Sequence, residues 1–374
     1  MGKIYTAMGL MSGTSLDGVD VSIIQSDGNR EFSSIFDRYF QYNNQLVQKI
    51  LNLREKITSS LELSKHYNEI KDLEREITLF HVQAIKETLE NSKSLVDLIG
   101  FHGQTIHHDP FNKISIQLGN PYSLANELKK NVIFSFRSLD IESGGEGAPI
   151  SPIYHKFLIE KFRFKLPSCF INIGGILNLT YWDGQELIGF DLGPGNCLMD
   201  EYITSVSNIF FDKDGIIASK GKIDQNFVSN FFNNSFFKLK PPKSLDKNYF
   251  NDYLSDIKKK NYSKEDTLAT LLELTKCSII DSLKFLPKKI NSLYLCGGGS
   301  KNKFLVDQIQ NEFDNILINK NFHDLDPNFI EAEMIAYLSA RSFYNLPITF
   351  PNTTGVKVPL CGGKLIEPRH KKPT

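Results

Sequence analysis

Three segments of this chain repeat one pattern. Each is a short apolar stretch, fit for a buried strand, that stops in a cluster of glycines. They run from Cys169 to Gly175, from Leu187 to Gly195 and from Leu293 to Gly299. A fourth segment, residues 4–11, is largely apolar and leads into the turn Ser12 to Gly18. Val19, Val21 and Ile23 then alternate with Asp20 and Ser22, the period-two pattern of a half-buried strand. Helical spacing lies between these strands: Leu46, Ile50, Leu53 and Ile57; Leu73, Ile77, Phe80 and Ala84; and a helix from Thr267 to Leu283. A further helix begins near Lys301, and a last one runs from Glu331 to Phe343. Strands alternating with helices predict an α/β architecture. Glycine-ended strands of this number are too many for one Rossmann site, and their spacing predicts glycine loops from two domains facing one cleft. At ~100–200 residues per domain, 374 residues agree with two domains.

Composition narrows the function classes. Lys+Arg and Asp+Glu are both 43, and this balance argues against a dedicated binder of nucleic acid or of an anionic membrane. No run approaches the ~18 apolar residues of a membrane span. The N-terminus enters a strand-like segment without a signal-peptide core. The five cysteines, Cys169, Cys197, Cys277, Cys296 and Cys361, form no Cys-x-x-Cys pair, so reduced thiols in a cytoplasmic protein are expected. Residues 226–262 are polar, rich in Asn, Lys and Phe, and read as an irregular surface excursion.

Five constellations carry chemistry. Gly9 to Asp20 places glycines and hydroxyls in a hairpin turn, where backbone N–H groups and side-chain O–H groups suit phosphate oxygens. Asp17 and Asp20 suit Mg²⁺ reached through water. An ordinary tight turn with Asp17-Gly18 at its corner is the alternative. Asn172 to Asn178 ends a strand in Gly174-Gly175, which lets backbone approach a polyphosphate or simply makes a bulge. Asp191, at a strand end before Gly193-Pro194-Gly195-Asn196, is placed for a general base, or else for a helix cap or a Mg²⁺ ligand. Cys296 to Asn302 makes a glycine-rich helix start fit for an anion or nucleotide. The fifth set is His102, Gln104, Arg137, Asp140 and Glu331, whose groups suit sugar hydroxyls or a carboxylate. The bland reading of Arg137 is a salt bridge to Asp140. His107 and His108 are adjacent, so their rings point apart, which argues against a metal pair.

In this order and over the length of the chain, the motifs resemble the anhydro-N-acetylmuramic acid kinase family. The resemblance rests on Met11 to Asp20, His102 to Thr105, Phe136-Arg137, Gly144-Gly145 with Gly147-Ala148-Pro149, Asn172 to Ile176, Phe190-Asp191 with Gly193 to Asn196, and Gly297 to Gly299 with Asn302. The chain departs from the family pattern at Ser135, Glu146 and Leu192. The resemblance implies the two-domain actin/hexokinase-like (ribonuclease H-like) fold with an ATP cleft, residues 1–143 with 335–374 forming one domain and 144–334 the other. It implies ATP and Mg²⁺ as cofactors, with Asp17 serving Mg²⁺ through water. Gly13, Thr14, Ser15, Leu16, Asp17, Gly18, Val19 and Asp20 would form the first phosphate loop, with Gly9 and Ser12 also assigned to the nucleotide. Gly174, Gly175 and Gly193 would approach the phosphates from the second domain, and Gly297, Gly298 and Asn302 would flank the adenosine. Asp191 matches the catalytic base. His102, Gln104, Arg137, Asp140 and Glu331 are expected to hold the substrate, 1,6-anhydro-N-acetylmuramic acid, with Arg137 on its carboxylate. A cytoplasmic protein of bacterial cell-wall recycling follows, with a homodimer suggested and no nucleic-acid or membrane partner. Another sugar kinase or phosphohydrolase of the same superfamily is the alternative.

Overall fold

The computed structural model describes residues 3–13, 16–57, 59–207, 209–313, 316–319 and 325–369. The chain divides into two compact units. Unit 1 comprises Met1–Lys161 and Asp324–Thr374, and unit 2 comprises Phe162–His323. Residues 144–161 and 324–334 thus fall in unit 1, whereas the expected boundaries put them in the second domain.

Unit 1 is built on β1 (Tyr5–Ser12), β2 (Gly18–Ser26), β3 (Phe32–Gln41), β4 (Leu98–Asp109), β5 (Ile114–Leu118) and β6 (Asn131–Phe134). The chain returns to the same sheet at its C-terminal end as β12 (Lys364–Ile366), so the strand order is β12-β6-β4-β1-β2-β3, with β5 paired to β4. Unit 2 holds β7 (Ser168–Ile173), β8 (Ile176–Trp182), β9 (Leu187–Pro194), β10 (Ser292–Cys296) and β11 (Leu317–Asn319), in the order β11-β10-β7-β8-β9. The two sheets repeat one plan. In each, three strands form an antiparallel meander (β1-β2-β3 and β7-β8-β9). Two more strands then add in parallel on the other side of the first (β4-β6 and β10-β11). Parallel additions need a crossover, and helices supply it. This doubled order is the two-domain ribonuclease H-like α/β fold.

The helices bury one face each, as their apolar spacing predicts. Leu46, Ile50 and Leu53 of the Asn44–Lys56 helix and Leu73, Ile77 and Ile85 of the Tyr67–Ser92 helix join Met8, Leu10, Val19, Val21 and Ile23 in the core of unit 1. The Ile330–Phe343 helix packs on β1, β2 and β4. It comes so close that a Cβ on Gly9 would lie 2.0 Å from the Ala332 carbonyl oxygen, and one on Gly100 2.1 Å from Ser339 Oγ.

Unit 2 corrects the reading of residues 226–262. They include the Gln225–Phe231 and Asn251–Lys258 helices. Phe227, Phe231, Phe236, Phe237 and Phe250 are buried there and join the unit 2 core. These phenylalanines are core side chains, each removing a large apolar area from water. Among the described residues no helix is long and apolar enough to cross a membrane.

Candidate active site

In unit 2 the glycine turns between the strands lie against one another. The N–H groups of Gly195 and Asn196 donate to the carbonyls of Gly175 (2.9 Å) and Gly174 (2.8 Å). A Cβ on Gly195 would sit 2.1 Å from the Gly174 oxygen, so glycine is required for this approach. Asp191 lies on β9 opposite Asn178, two residues before Gly193. The register then slips, leaving Leu192 as an extra residue on β9. Such a bulge twists a strand and re-aims its side chains. Asp191 is 5% exposed, and its Oδ2 accepts the N–H of Leu245 at 2.8 Å. Its own N–H donates to the Lys243 carbonyl at 3.0 Å. The strand thus ends in a carboxylate whose orientation is fixed by backbone. Neither Lys243 nor Leu245 stood out in the sequence, because backbone partners leave no mark in residue type.

Gly297 has φ +77°, and a Cβ there would meet Asn172 Oδ1 at 2.1 Å. Gly298 differs: a Cβ there finds nothing nearer than Asn196 Nδ2 at 3.9 Å, and one on Gly174 nothing nearer than the Ile176 oxygen at 3.5 Å. Packing within unit 2 therefore does not demand glycine at 174 or 298, and a side chain there would fill space open to a ligand. Asn302 starts a helix. Its Oδ1 accepts the Leu305 N–H at 3.0 Å and caps the Lys303–Gln310 helix, which accounts for an asparagine at this point.

In unit 1 the turn after β1 is held from beneath. Ser12 Oγ bonds both Tyr42 Oη and His81 Nε2 at 3.0 Å. His81 bonds the Ile77 carbonyl through Nδ1, and burial pushes its pKa down to about 4, so it is neutral and Nε2 is the acceptor. The Ser12 side chain therefore faces inward with Met8 and Leu10. Gly9 is also corrected: β2 and β4 flank its backbone, and its missing side chain admits the helix above. Leu16 drops into the core at φ +61°, and Val19 is buried beside it. Gly18 pairs with Gln41, and a Cβ there would lie 2.1 Å from the Phe40 oxygen. Gly13, Asp17 and Asp20 stay at least partly exposed along this turn; Thr14 and Ser15 lie outside the described residues.

Of the residues expected to bind the sugar, His102 and Asp140 are tied to Arg137. Its Nε donates to His102 Nε2 at 3.1 Å, and its Nη1 to the Gly147 carbonyl at 2.7 Å. Burial first, and then the Arg137 charge, push the His102 pKa down to about 3. The ring is neutral, with Nδ1 turned to the Gly103 carbonyl at 2.8 Å. Asp140 is drawn into the fold of the unit. It is 2% exposed; Oδ1 accepts the Gly147 N–H at 2.7 Å, and Oδ2 accepts the Thr354 hydroxyl at 2.6 Å. Gly147 thus joins Arg137 to Asp140, through its carbonyl on one side and its N–H on the other. Gln104 donates Nε2 to the Gly13 carbonyl at 3.0 Å, and its buried Oε1 has no hydrogen-bond partner among the described residues. Glu331 is half-buried in the first turn of the Ile330–Phe343 helix. Of the positions departing from the family pattern, Ser135 Oγ bonds Ser138 Oγ at 2.6 Å and Leu192 is the bulge residue.

A sequence model of the anhydro-N-acetylmuramic acid kinase family matches residues 5–367, spanning both units. The chain belongs to that family. It is similar to proteins named anhydro-N-acetylmuramic acid kinase from Pelagibacter ubique (41% identity, covering 98% of this chain and 100% of the relative). Those from Zymomonas mobilis (37%, 96% and 99%) and Agrobacterium fabrum (36%, 98% and 100%) are alike. Among solved structures, component A of the (R)-2-hydroxyglutaryl-CoA dehydratase of Acidaminococcus fermentans aligns with 91% of this chain and 98% of its own, with TM-score 0.43 and 11% identity.

No group of three or more His, Cys, Asp or Glu side chains able to hold a metal occurs among the described residues. His107 and His108 do not converge: their rings bond Ser60 Oγ (3.1 Å) and Ser115 Oγ (2.9 Å).

Proposed function

We propose that this family member opens the 1,6-anhydro bridge of 1,6-anhydro-N-acetylmuramic acid with water and phosphorylates the freed O6, giving N-acetylmuramic acid 6-phosphate and ADP. The observation that carries this reading is Asp191: a buried carboxylate at a bulged strand end, fixed by the Leu245 N–H and set beside two interlocked glycine turns. ATP supplies the phosphoryl group, and Mg²⁺ neutralises its charge. Asp191 accepts the proton of the water that attacks the anomeric carbon. As the anomeric C–O6 bond breaks, O6 becomes the acceptor, and Asp191 later returns its proton to solvent. Positioning and electrostatics, not covalent chemistry, carry phosphoryl transfer of this kind.

Arg137 is the group assigned to the sugar's lactyl carboxylate. The neutral His102 leaves the guanidinium the sole cation of that pair, and Gly147 fixes its plane. Gln104 offers Oε1 as an acceptor for a hydroxyl, and Glu331 is assigned a sugar contact. Gly174, Gly175 and Gly298 are assigned to the nucleotide. Asp191→Asn keeps the shape of the side chain and removes the base. Turnover is expected to fall by at least ~10²-fold while ATP affinity stays within about twofold, measured by ADP release and by titration calorimetry. Undiminished turnover would refute the assignment.

A further inference from the structure

Lys243 is a buried cation that the proposed chemistry leaves unused. It is 6% exposed, within the phenylalanine-rich segment that precedes the Asn251–Lys258 helix. Its ammonium lies 4.1 Å from the centroid of the Phe236 ring, 4.9 Å from that of Phe285 and 6.0 Å from that of Phe190, and it donates to the Phe236 carbonyl at 3.0 Å. A lysine confined among ring faces gains cation–π attraction but loses most of its hydration. The segment it anchors is the one that grips Asp191. The Lys243 carbonyl takes the Asp191 N–H, and the Leu245 N–H holds Asp191 Oδ2.

We propose that Lys243 is a positioning residue for Asp191, pinning the segment that orients the carboxylate and supplying a positive charge that keeps it ionised. This rests on the reading of Asp191 as the base. The charges facing the ammonium are Asp281 on the Lys264–Ser282 helix, Lys284 on the following turn and Asp191 on β9. Burial pushes the lysine pKa down to about 8, so the charge is present through the neutral range where the base must be ionised. A cation beside a carboxylate favours its charged form; without the cation the carboxylate ionises at higher pH.

The test is the pH profile of kcat/KM for 1,6-anhydro-N-acetylmuramic acid with Mg·ATP, from pH 5 to 9. Lys243→Met keeps the apolar stem but neither the charge nor the hydrogen bond. Its acid limb is expected to move up by about half to one pH unit, with kcat down roughly tenfold, and Lys243→Arg is expected to return the limb toward the parent position. A merely structural lysine would lower activity without moving that limb. Phe285→Leu admits water to the ammonium and should move the limb the same way by less; it decides the matter alone if Lys243→Met does not fold. An unmoved limb in the folded variants overturns the proposal while leaving Asp191 as base. Turnover persisting in Asp191→Asn overturns instead the reading on which the proposal rests.

Discussion

At the residue scale, two glycines that look alike in sequence have opposite reasons to be glycine. Gly9→Ala places a Cβ 2.0 Å from a helix carbonyl, and neither the sheet nor the helix can yield without loss. It should destabilise the protein by about 1–3 kcal/mol, read as a lower urea midpoint. Gly298→Ala meets no atom nearer than 3.9 Å and should leave that midpoint unchanged while weakening ATP binding severalfold by calorimetry. Equal ATP affinity in Gly298→Ala would remove Gly298 from the nucleotide site. Glu333 is the other informative residue. It is fully buried, and its Oε2 accepts the Tyr154 hydroxyl at 2.9 Å. Burial, with Asp37 nearby, pushes its pKa up from 4.5 to about 8. The folded state therefore holds a proton that the unfolded state releases above pH 4.5, and the stability this contributes is lost as pH rises toward 8. Glu333→Gln should gain Tm relative to the parent progressively as pH rises from 6.5 to 8, above the range in which the buried histidines act; a constant difference would show that Glu333 is ionised in the fold.

At the scale of elements, helical spacing and period-two alternation were enough to place most strands and helices that carry the site. Asp191, Arg137 and the glycine turns were legible because strand ends and glycine clusters leave a linear signature. What escaped was direction and partnership. Ser12 and Gly9 read as nucleotide contacts by type, yet Ser12 shares the inward face of β1 with Met8 and Leu10, and Gly9 is spent on helix packing. Asn302 read as an adenosine contact and is a helix cap. Asp140 read as a sugar ligand and is tied to Gly147 and Thr354, the latter 214 residues away. Such links form only once the chain returns on itself, so no local window contains them. The excursion at 226–262 was misread for the same reason: its polar residues dominate the composition, while its phenylalanines decide where it packs.

For the whole molecule, one sheet order used twice gives each unit a glycine-edged strand end, and the two units differ in what else they bury. His81, His102, His108 and His155 are all buried in unit 1, and burial pushes their pKa values down to about 3 or 4. Unfolded, each takes a proton near pH 6.5; folded, each stays neutral, so stability is lost as pH falls below 6.5. Hydrogen exchange at pH 5 should therefore show unit 1 losing protection before unit 2; loss in unit 2 first would contradict the neutral-histidine assignment. The central claim is the reaction, and it is tested most directly by coupled ADP release with Mg·ATP and 1,6-anhydro-N-acetylmuramic acid, with the sugar product weighed. Sugar-dependent ADP release is predicted, with a product heavier by one phosphoryl group and one water. A product heavier by the phosphoryl group alone, or no sugar-dependent release, would contradict it.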